Sequence, residues 1–180
     1  MLRSLIFIVY VCCSLSAFSD EWNIEAWQAH VKQSDRFQVT FNQAKQISGM
    51  RAPLRSEGVI YVDQGYGVIW QTLAPFNSLI CWTNDDEQSS VIAQWFGDVL
   101  SADVSKLRQH FRIELSGTID SWHVTLTPDN DFIARALNQI RLHGSKSVSE
   151  VEYSEPGGHV TTLQLGDHRP IEGQPSCEAQ

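Results

Sequence analysis

The feature that most limits the fold of this chain is a two-residue alternation of apolar and polar side chains, which returns in short segments along most of its length. Phe37, Val39 and Phe41 alternate with polar residues, and residues 111–115 and 122–128 repeat the pattern. Successive side chains of a β-strand point to opposite faces, so the alternation predicts strands with one buried and one wet face. Such strands are typical of an antiparallel sheet that is covered on one side.

Turn-forming residues separate these segments. Residues 63–67 and 74–77 join three strands into an antiparallel meander, Gly117 marks a further turn, and residues 155–158 contain one Pro and two Gly. The predicted strands number about eight or more. They lie at residues 37–41, 58–62, 67–73, 78–83, 111–115, 122–128, 140–142, 148–153 and 160–165.

Helical segments are the only other elements available to cover the apolar face of this sheet. Residues 22–34 and 91–100 have helical apolar spacing, and residues 129–136 favour a helical turn. Asp103 is placed to cap a second short helix that extends to His110. Because a one-sided sheet must be covered to form a core, we predict an α+β fold with the helices on its apolar face.

The first nineteen residues predict a cleaved secretory signal. Arg3 is the only charge before Asp20, residues 5–11 are uniformly apolar, and small side chains precede the expected cleavage site before Asp20. The apolar run is shorter than the ~20 residues of a spanning helix, which disfavours an uncleaved anchor. Lipidation at Cys12 or Cys13 is disfavoured because neither follows a small residue. We therefore expect residues 1–19 to be removed and residues 20–180 to form one domain in the bacterial periplasm, with a polar tail from about 167 to 180.

The charge balance narrows the possible binding partners. The chain has 13 basic and 21 acidic residues, and loss of Arg3 changes the net charge from −8 to −9. This balance disfavours nucleic acid and an anionic bilayer as partners, because both reward basic patches.

Cys81 and Cys177 remain in the mature chain, and an oxidising compartment permits their pairing. The sequence leaves open the alternative of a buried Cys81 and a free thiol at Cys177.

No motif for catalysis, a metal or a cofactor occurs. The six histidines lack the His-x-x-x-His spacing of zinc sites, and no Cys-x-x-Cys pair is present. The chain has no Gly-x-Ser-x-Gly elbow, phosphate loop or dinucleotide fingerprint. Residues 85–87 form an acidic cluster without the spacing of a calcium loop. We therefore expect a protein that is not an enzyme and holds neither metal nor cofactor.

Several segments resemble, in order, the periplasmic outer-membrane lipoprotein carrier family, LolA. Its opening strand, tryptophan strand, proline turn and later tryptophan-to-proline strand each have a counterpart. The matching segments are residues 37–43 with Lys45, 56–61, 70–72, 75–76, 79–80, 122–128, 140–144 and 157–165. The resemblance covers most of residues 22–166 and includes a helical insertion between the two groups of strands.

This resemblance implies an incomplete antiparallel β-barrel whose concave apolar face is covered by helices and holds acyl chains. It implies a periplasmic carrier that shields the acyl chains of a lipoprotein or lipid during transit to the outer membrane. The implied partners are an acylated cargo, an inner-membrane exporter and an outer-membrane acceptor, for a carrier that is a monomer and binds no nucleic acid.

One position departs from the family pattern. The family usually has an arginine just before the tryptophan of its third strand, and this arginine helps to hold the lid shut. Ile69 occupies that place here, and Arg55 lies on the wrong strand to substitute. The departure leaves the cargo open, and the alternative is an accessory protein that binds lipid or glycolipid in a cell-envelope export pathway. Two other classes of protein are disfavoured. An enzyme on this scaffold would need a nucleophile and a base within reach of each other, and an outer-membrane acceptor would need a lipidated cysteine at the mature N-terminus.

The apolar side chains of the predicted inner faces are the candidates for the cavity, with Trp95 and Phe96 as the covering pair on the inserted helix. Packing in an ordinary core is the competing interpretation for the aromatic members. The candidates are Ile60, Trp70, Ile80, Trp82, Trp95, Phe96, Leu100, Phe111, Ile113, Leu115, Trp122, Val124, Leu126, Ile140, Leu142, Leu163 and Leu165.

Overall fold

The computed structural model describes residues 22–31, 34–83, 90–173 and 177. Nine strands and four helices lie within them. The strands are β1 (Arg36–Gln46), β2 (Leu54–Asp63), β3 (Gly67–Ala74), β4 (Ser78–Thr83), β5 (Phe111–Thr118), β6 (Ser121–Pro128), β7 (Gln139–Gly144), β8 (Val148–Glu155) and β9 (His159–Leu165). The helices are α1 (Ile24–Val31), α2 (Ser90–Ser101), α3 (Val104–Leu107) and α4 (Asp131–Ala134).

All nine strands form one antiparallel sheet in the order β4-β3-β2-β1-β9-β8-β7-β6-β5. The first strand pairs with the last, because Phe41 lies opposite Leu165 and Gln46 lies opposite Val160. The sheet does not close, so β4 and β5 remain at its two edges. This arrangement confirms the predicted α+β fold, an incomplete antiparallel barrel with helices.

Gly117 does not form the turn that the sequence predicts at this residue. It lies inside β5 opposite Trp122, and the chain turns two residues later, between Thr118 and Ser121. Its φ is +90°, and a Cβ there would collide with the carbonyl oxygen of Ser121. Only glycine fits where β5 approaches β6 at this position. A glycine within a strand was therefore mistaken for a turn in the sequence. The predicted signal at residues 1–19 and the predicted loop at 84–89 lie outside the described residues.

The short helices begin at side-chain caps. Asp103 accepts a hydrogen bond from the Lys106 amide at 3.2 Å, as predicted, although α3 ends at Leu107 and does not reach His110. The side chain of Asn130 accepts from the Ile133 amide at 2.9 Å and begins α4. These caps fix the start of α3 after α2 and the start of α4 after β6.

The core lies between the concave face and the helices. Trp27 of α1 meets Trp122 of β6 edge to face with ring centroids 5.4 Å apart, and both are fully buried. The Trp122 indole N–H donates to the Ser145 carbonyl at 2.6 Å. On this side the helix packs directly on the sheet and leaves no space between them.

The polar tail is tied to the outside of the sheet. Gln38 and Arg169 exchange two backbone hydrogen bonds of 2.7 and 2.9 Å, which extends the pairing of β1 beyond the end of β9. Further along, Cys177 is bonded to Cys81 of β4, with Cα atoms 6.0 Å apart. The tail is thus fixed to β1 and to the edge strand β4.

Burial of His168 in this tail makes stability depend on pH. Its ring packs against Phe37 at 4.8 Å, and neither ring nitrogen has a hydrogen-bond partner within the described residues. Burial lowers its pKa from 6.5 to about 4, with Asp167 opposing the shift. The folded-state pKa of His168 lies below its unfolded value, so the neutral, buried ring contributes to the free energy of unfolding. This contribution is complete above pH 6.5 and is lost as pH falls toward 4.

His168→Phe is expected to remove this dependence, because phenylalanine keeps the contact with Phe37 and takes up no proton. Between pH 7 and pH 4.5 the wild-type chain is expected to lose about 2 kcal/mol more free energy of unfolding than the variant. Urea unfolding of both proteins at the two pH values measures the difference. An identical pH dependence in both would contradict the assignment.

Candidate functional site

A cavity of about 950 Å³ opens on the concave face between α2 and the segment that includes α4. Its wall combines inner-face residues of β1–β4 and β8 with the two helical segments. The lining residues are Gln43, Ser56, Trp70, Thr72, Ile80, Trp82, Trp95, Phe96, Phe132, Ile133, Arg135, Ala136, Leu137, Tyr153 and Glu155.

Aromatic rings form the floor of this cavity around Trp70. The Trp70 ring centroid lies 4.6 Å from that of Phe41, 5.3 Å from Phe96 and 6.3 Å from Trp82. The strand register produces this cluster, because Trp70 lies opposite Ile80 and both point inward. Rings held by mutual contact form a largely apolar surface.

Helix α2 covers one side of the cavity and carries Trp95 and Phe96. It lies close to β3, where a Cβ at Gly97 would come within 3.3 Å of the Val68 side chain. At its end, the buried Asp98 carboxylate faces the Lys106 ammonium of α3 at 3.3 Å. Burial raises the pKa of Asp98, while Lys106 opposes the shift. Apolar contact and this one ion pair therefore hold the cover in place.

The opposite end of the cavity is polar. Gln43, Ser56 and Thr72 lie at inner-face positions near the ends of their strands and line the wall together with Arg135 and Glu155. Outside them, the Lys45 ammonium pairs with Glu155 at 2.9 Å, and this hydrogen bond raises the pKa of Lys45. The cavity is thus suited to an amphiphile, with the apolar part on the aromatic floor and the polar part at the rim.

Five of the seventeen predicted residues line the cavity: Trp70, Ile80, Trp82, Trp95 and Phe96. The other twelve pack in the hydrophobic core or against it, ten of them on the strands β5, β6, β7 and β9 and the remaining two on β2 and α2. They are Ile60, Leu100, Phe111, Ile113, Leu115, Trp122, Val124, Leu126, Ile140, Leu142, Leu163 and Leu165. Inward orientation is shared by cavity and core, so alternation cannot separate the two.

The predicted cavity residues include none of the polar rim and none of the α4 segment, although the helical turn at residues 129–136 was itself predicted. Gln43 continues the alternation of Phe37, Val39 and Phe41 by one further step, so its inward direction was visible in the sequence. Ile133 and Leu137 are one helical turn apart and were visible as an apolar pair. Arg135 carried no signal, because an arginine after a helical turn is normally solvent-exposed.

A cluster of metal ligands and a membrane-spanning helix are both absent from the described part of the chain. Within it, no three His, Cys, Asp or Glu side chains come together in a way that would hold a metal ion. None of the helices there has both the length and the apolarity to cross a membrane.

The fold and the cavity define a half-barrel protein with an apolar, helix-covered binding cavity. Residues 87–166 match a family model described as "Outer membrane lipoprotein carrier protein LolA-like". This match supports, over residues 87–166, the resemblance to a divergent LolA-like member that the sequence predicted. No curated protein matches the chain significantly.

Solved structures with a similar fold include a LolA superfamily protein from Nitrosomonas europaea, with a TM-score of 0.43, 10% identity and coverage of 84% of this chain and 93% of that one. A chain of the MucA/MucB complex from Pseudomonas aeruginosa gives a TM-score of 0.42 and 15% identity, with 84% of this chain and 58% of that chain covered. Scores this low do not extend the assignment beyond the family match.

Proposed function

We propose that this chain is a periplasmic carrier that shields the acyl chains of a lipoprotein or lipid during transit to the outer membrane. The aromatic-floored cavity of about 950 Å³ is the observation that carries the proposal. Its volume lies at the upper end of the range of ligand pockets, about 300–1,000 Å³. Each CH₂ group exposed to water costs about 0.8 kcal/mol, so acyl chains need such a container in an aqueous compartment.

A carrier must also release its cargo, and α2 is suited to this step. Its contacts with the sheet include Phe96 against Trp70 and the close approach of Gly97 to Val68. Acyl chains that enter the cavity replace part of these contacts, so opening and loading are coupled. In this proposal the monomeric carrier receives an acylated cargo from an inner-membrane exporter and delivers it to an outer-membrane acceptor.

Position 69 favours a second candidate, an accessory protein that binds lipid or glycolipid in an export pathway. Ile69 is buried and lies opposite Tyr61 and Cys81, so no guanidinium is available where the LolA family usually has one. A cover held without that arginine is compatible with a cargo other than a lipoprotein.

Native mass spectrometry of the mature protein purified from a periplasmic extract tests both candidates. A bound species with the mass of a lipopeptide is expected for the carrier, whereas a phospholipid or glycolipid mass would favour the accessory protein. A protein that is free of ligand, and remains so when lipids and lipopeptides are offered, would refute both.

A further inference from the structure

Exposed apolar side chains are concentrated at one edge of the sheet. The register places four connections at the same ends of the strands, a boundary of the sheet here called the mouth edge, which is distinct from the edge strands β4 and β5. They are the β1–β2 loop (47–53), the β3–β4 turn (75–77), the β6–β7 connection (129–138) and the β8–β9 turn (156–158). Seven of the nine exposed large apolar residues in the described ranges lie at or beside it: Met50, Leu54, Leu73, Phe76, Leu79, Ile80 and Phe132. The other two, Tyr66 and Ile119, lie at the opposite edge.

Unpaired arginines accompany these apolar side chains. Of the eleven lysines and arginines in the described ranges, six form ion pairs there and five do not. Three of the five, Arg51, Arg55 and Arg135, are exposed at the mouth edge, whereas Lys146 is at the opposite edge and Arg169 is in the tail.

Charge at the mouth edge differs from that of the whole chain. No acidic residue occurs between Asp35 and Glu57, so the β1–β2 loop is basic although the chain has a net charge of −8. Arg55, at the start of β2, lines a depression together with Glu57 and with Pro75 of the β3–β4 turn. Asp129 and Asp131 lie on the other side of the mouth edge together with Arg135, so the side formed by β1–β4 carries Arg51 and Arg55 and the other side has no excess of basic charge.

The cavity opens at this edge. Ile80 and Phe132 both line the cavity and are 46% and 72% exposed, respectively. Phe76, at the tip of the β3–β4 turn, is 81% exposed. A lipid phase in contact with these side chains would therefore be in direct contact with the interior of the cavity.

We propose that the mouth edge docks on the surface of an anionic bilayer, with the β3–β4 turn in the interface and Arg51 and Arg55 on lipid phosphates. The apolar side chains lie at separate loop tips and on an edge strand, which suits an interface that inserts single side chains. Residues 50–55 contain two arginines among apolar residues, and each basic side chain close to an anionic membrane surface contributes about 1 kcal/mol to binding. Docking in this orientation would let acyl chains enter or leave the cavity without crossing water.

Co-sedimentation of the mature protein with lipid vesicles tests the proposal. Binding to vesicles that contain phosphatidylglycerol is expected, with much weaker binding to pure phosphatidylcholine and loss of binding in high salt. Phe76→Ser is expected to weaken binding about tenfold, because the phenyl ring no longer enters the interface. Arg51→Gln with Arg55→Gln is expected to weaken it about 30-fold and to remove most of the salt dependence.

The opposite edge supplies matched controls. Ile119→Ser removes an exposed apolar residue and Lys146→Gln removes an unpaired cation, so neither should change vesicle binding. The proposal is overturned if the wild-type protein does not bind anionic vesicles, or if the control variants weaken binding as much as the mouth-edge variants. It is also overturned if Phe76→Ser and the arginine variants bind as the wild type does. Native mass spectrometry of the same variants shows separately whether the cavity holds an amphiphile, so failure of docking is distinct from failure of the carrier function.

Discussion

Replacement of both Cys81 and Cys177 by serine is expected to lower the free energy of unfolding by about 4 kcal/mol. The bond joins residues 96 positions apart, and closure of a loop of about 100 residues removes roughly 4–5 kcal/mol of chain entropy from the unfolded state. Few other single bonds in a protein of this size have so large an expected effect. Urea unfolding followed by tryptophan fluorescence measures the change.

The native structure also depends on this bond. Gln38, Tyr61, Ile69 and Cys81 lie in one row across the outer face of β1 to β4. The tail is fixed to the first strand of this row at Gln38 and to the last strand at Cys81. Tyr61 and Ile69, between these two points, are 9% and 1% exposed although they are on the convex side. Loss of the bond should therefore loosen the edge strand β4 more than the rest of the sheet.

Hydrogen exchange separates these two effects. Amides of β4 should lose protection in the double serine variant while those of β6 and β7 change only through global stability. The reduced wild-type protein is the matched control, because it breaks the same bond without a substitution. An unchanged unfolding midpoint in both would show that the bond does not constrain the chain.

Ile80→Asp is expected to weaken the binding of an acyl ligand at least tenfold. The side chain lines the cavity opposite Trp70, so the substitution removes apolar contact and places a carboxylate beside the acyl chain. Because Ile80 is 46% exposed, the cost to folding should remain below about 1 kcal/mol. Titration with a fluorescent fatty-acyl probe, followed by displacement with unlabelled lipid, measures the affinity.

The neighbouring residue provides the control for this variant. Leu79 is 41% exposed on the same strand but points to the opposite face and does not line the cavity. Leu79→Asp therefore adds the same charge to the same edge strand and should leave probe affinity unchanged. Equal losses in both variants would indicate a general effect of charge on β4 and would count against the cavity as the acyl site.

Local pattern was sufficient to predict the strands and most of the turns. Phe37, Val39 and Phe41 alternate because β1 has one buried face, and this requirement acts between residues two positions apart. Asp103 was recognised as a cap for the same reason, since its partner is the amide of Lys106 three residues later. Gly117 shows the limit of such signals, because one residue type serves both a turn and a close contact between strands.

The cation distribution shows what an average over the chain conceals. The net charge of −8 disfavours contact with an anionic bilayer, yet the sheet register gathers Arg51, Arg55 and Arg135 at one edge without ion-pair partners in the described residues. Net charge adds up the residues without regard to position, whereas a surface responds to charge within about 10 Å.

The sequence alone determined that the chain forms an antiparallel sheet with a helix-covered apolar face, because alternation, turns and caps act over a few residues. Only the tertiary structure decided which part of that face is a cavity. Trp122 and Trp70 both point inward from strands with alternating side chains. Trp27 of α1 packs on Trp122, whereas Trp70 faces the cavity beside α2. That difference depends on which part of the sheet each helix covers, which is set by contacts between residues remote in sequence.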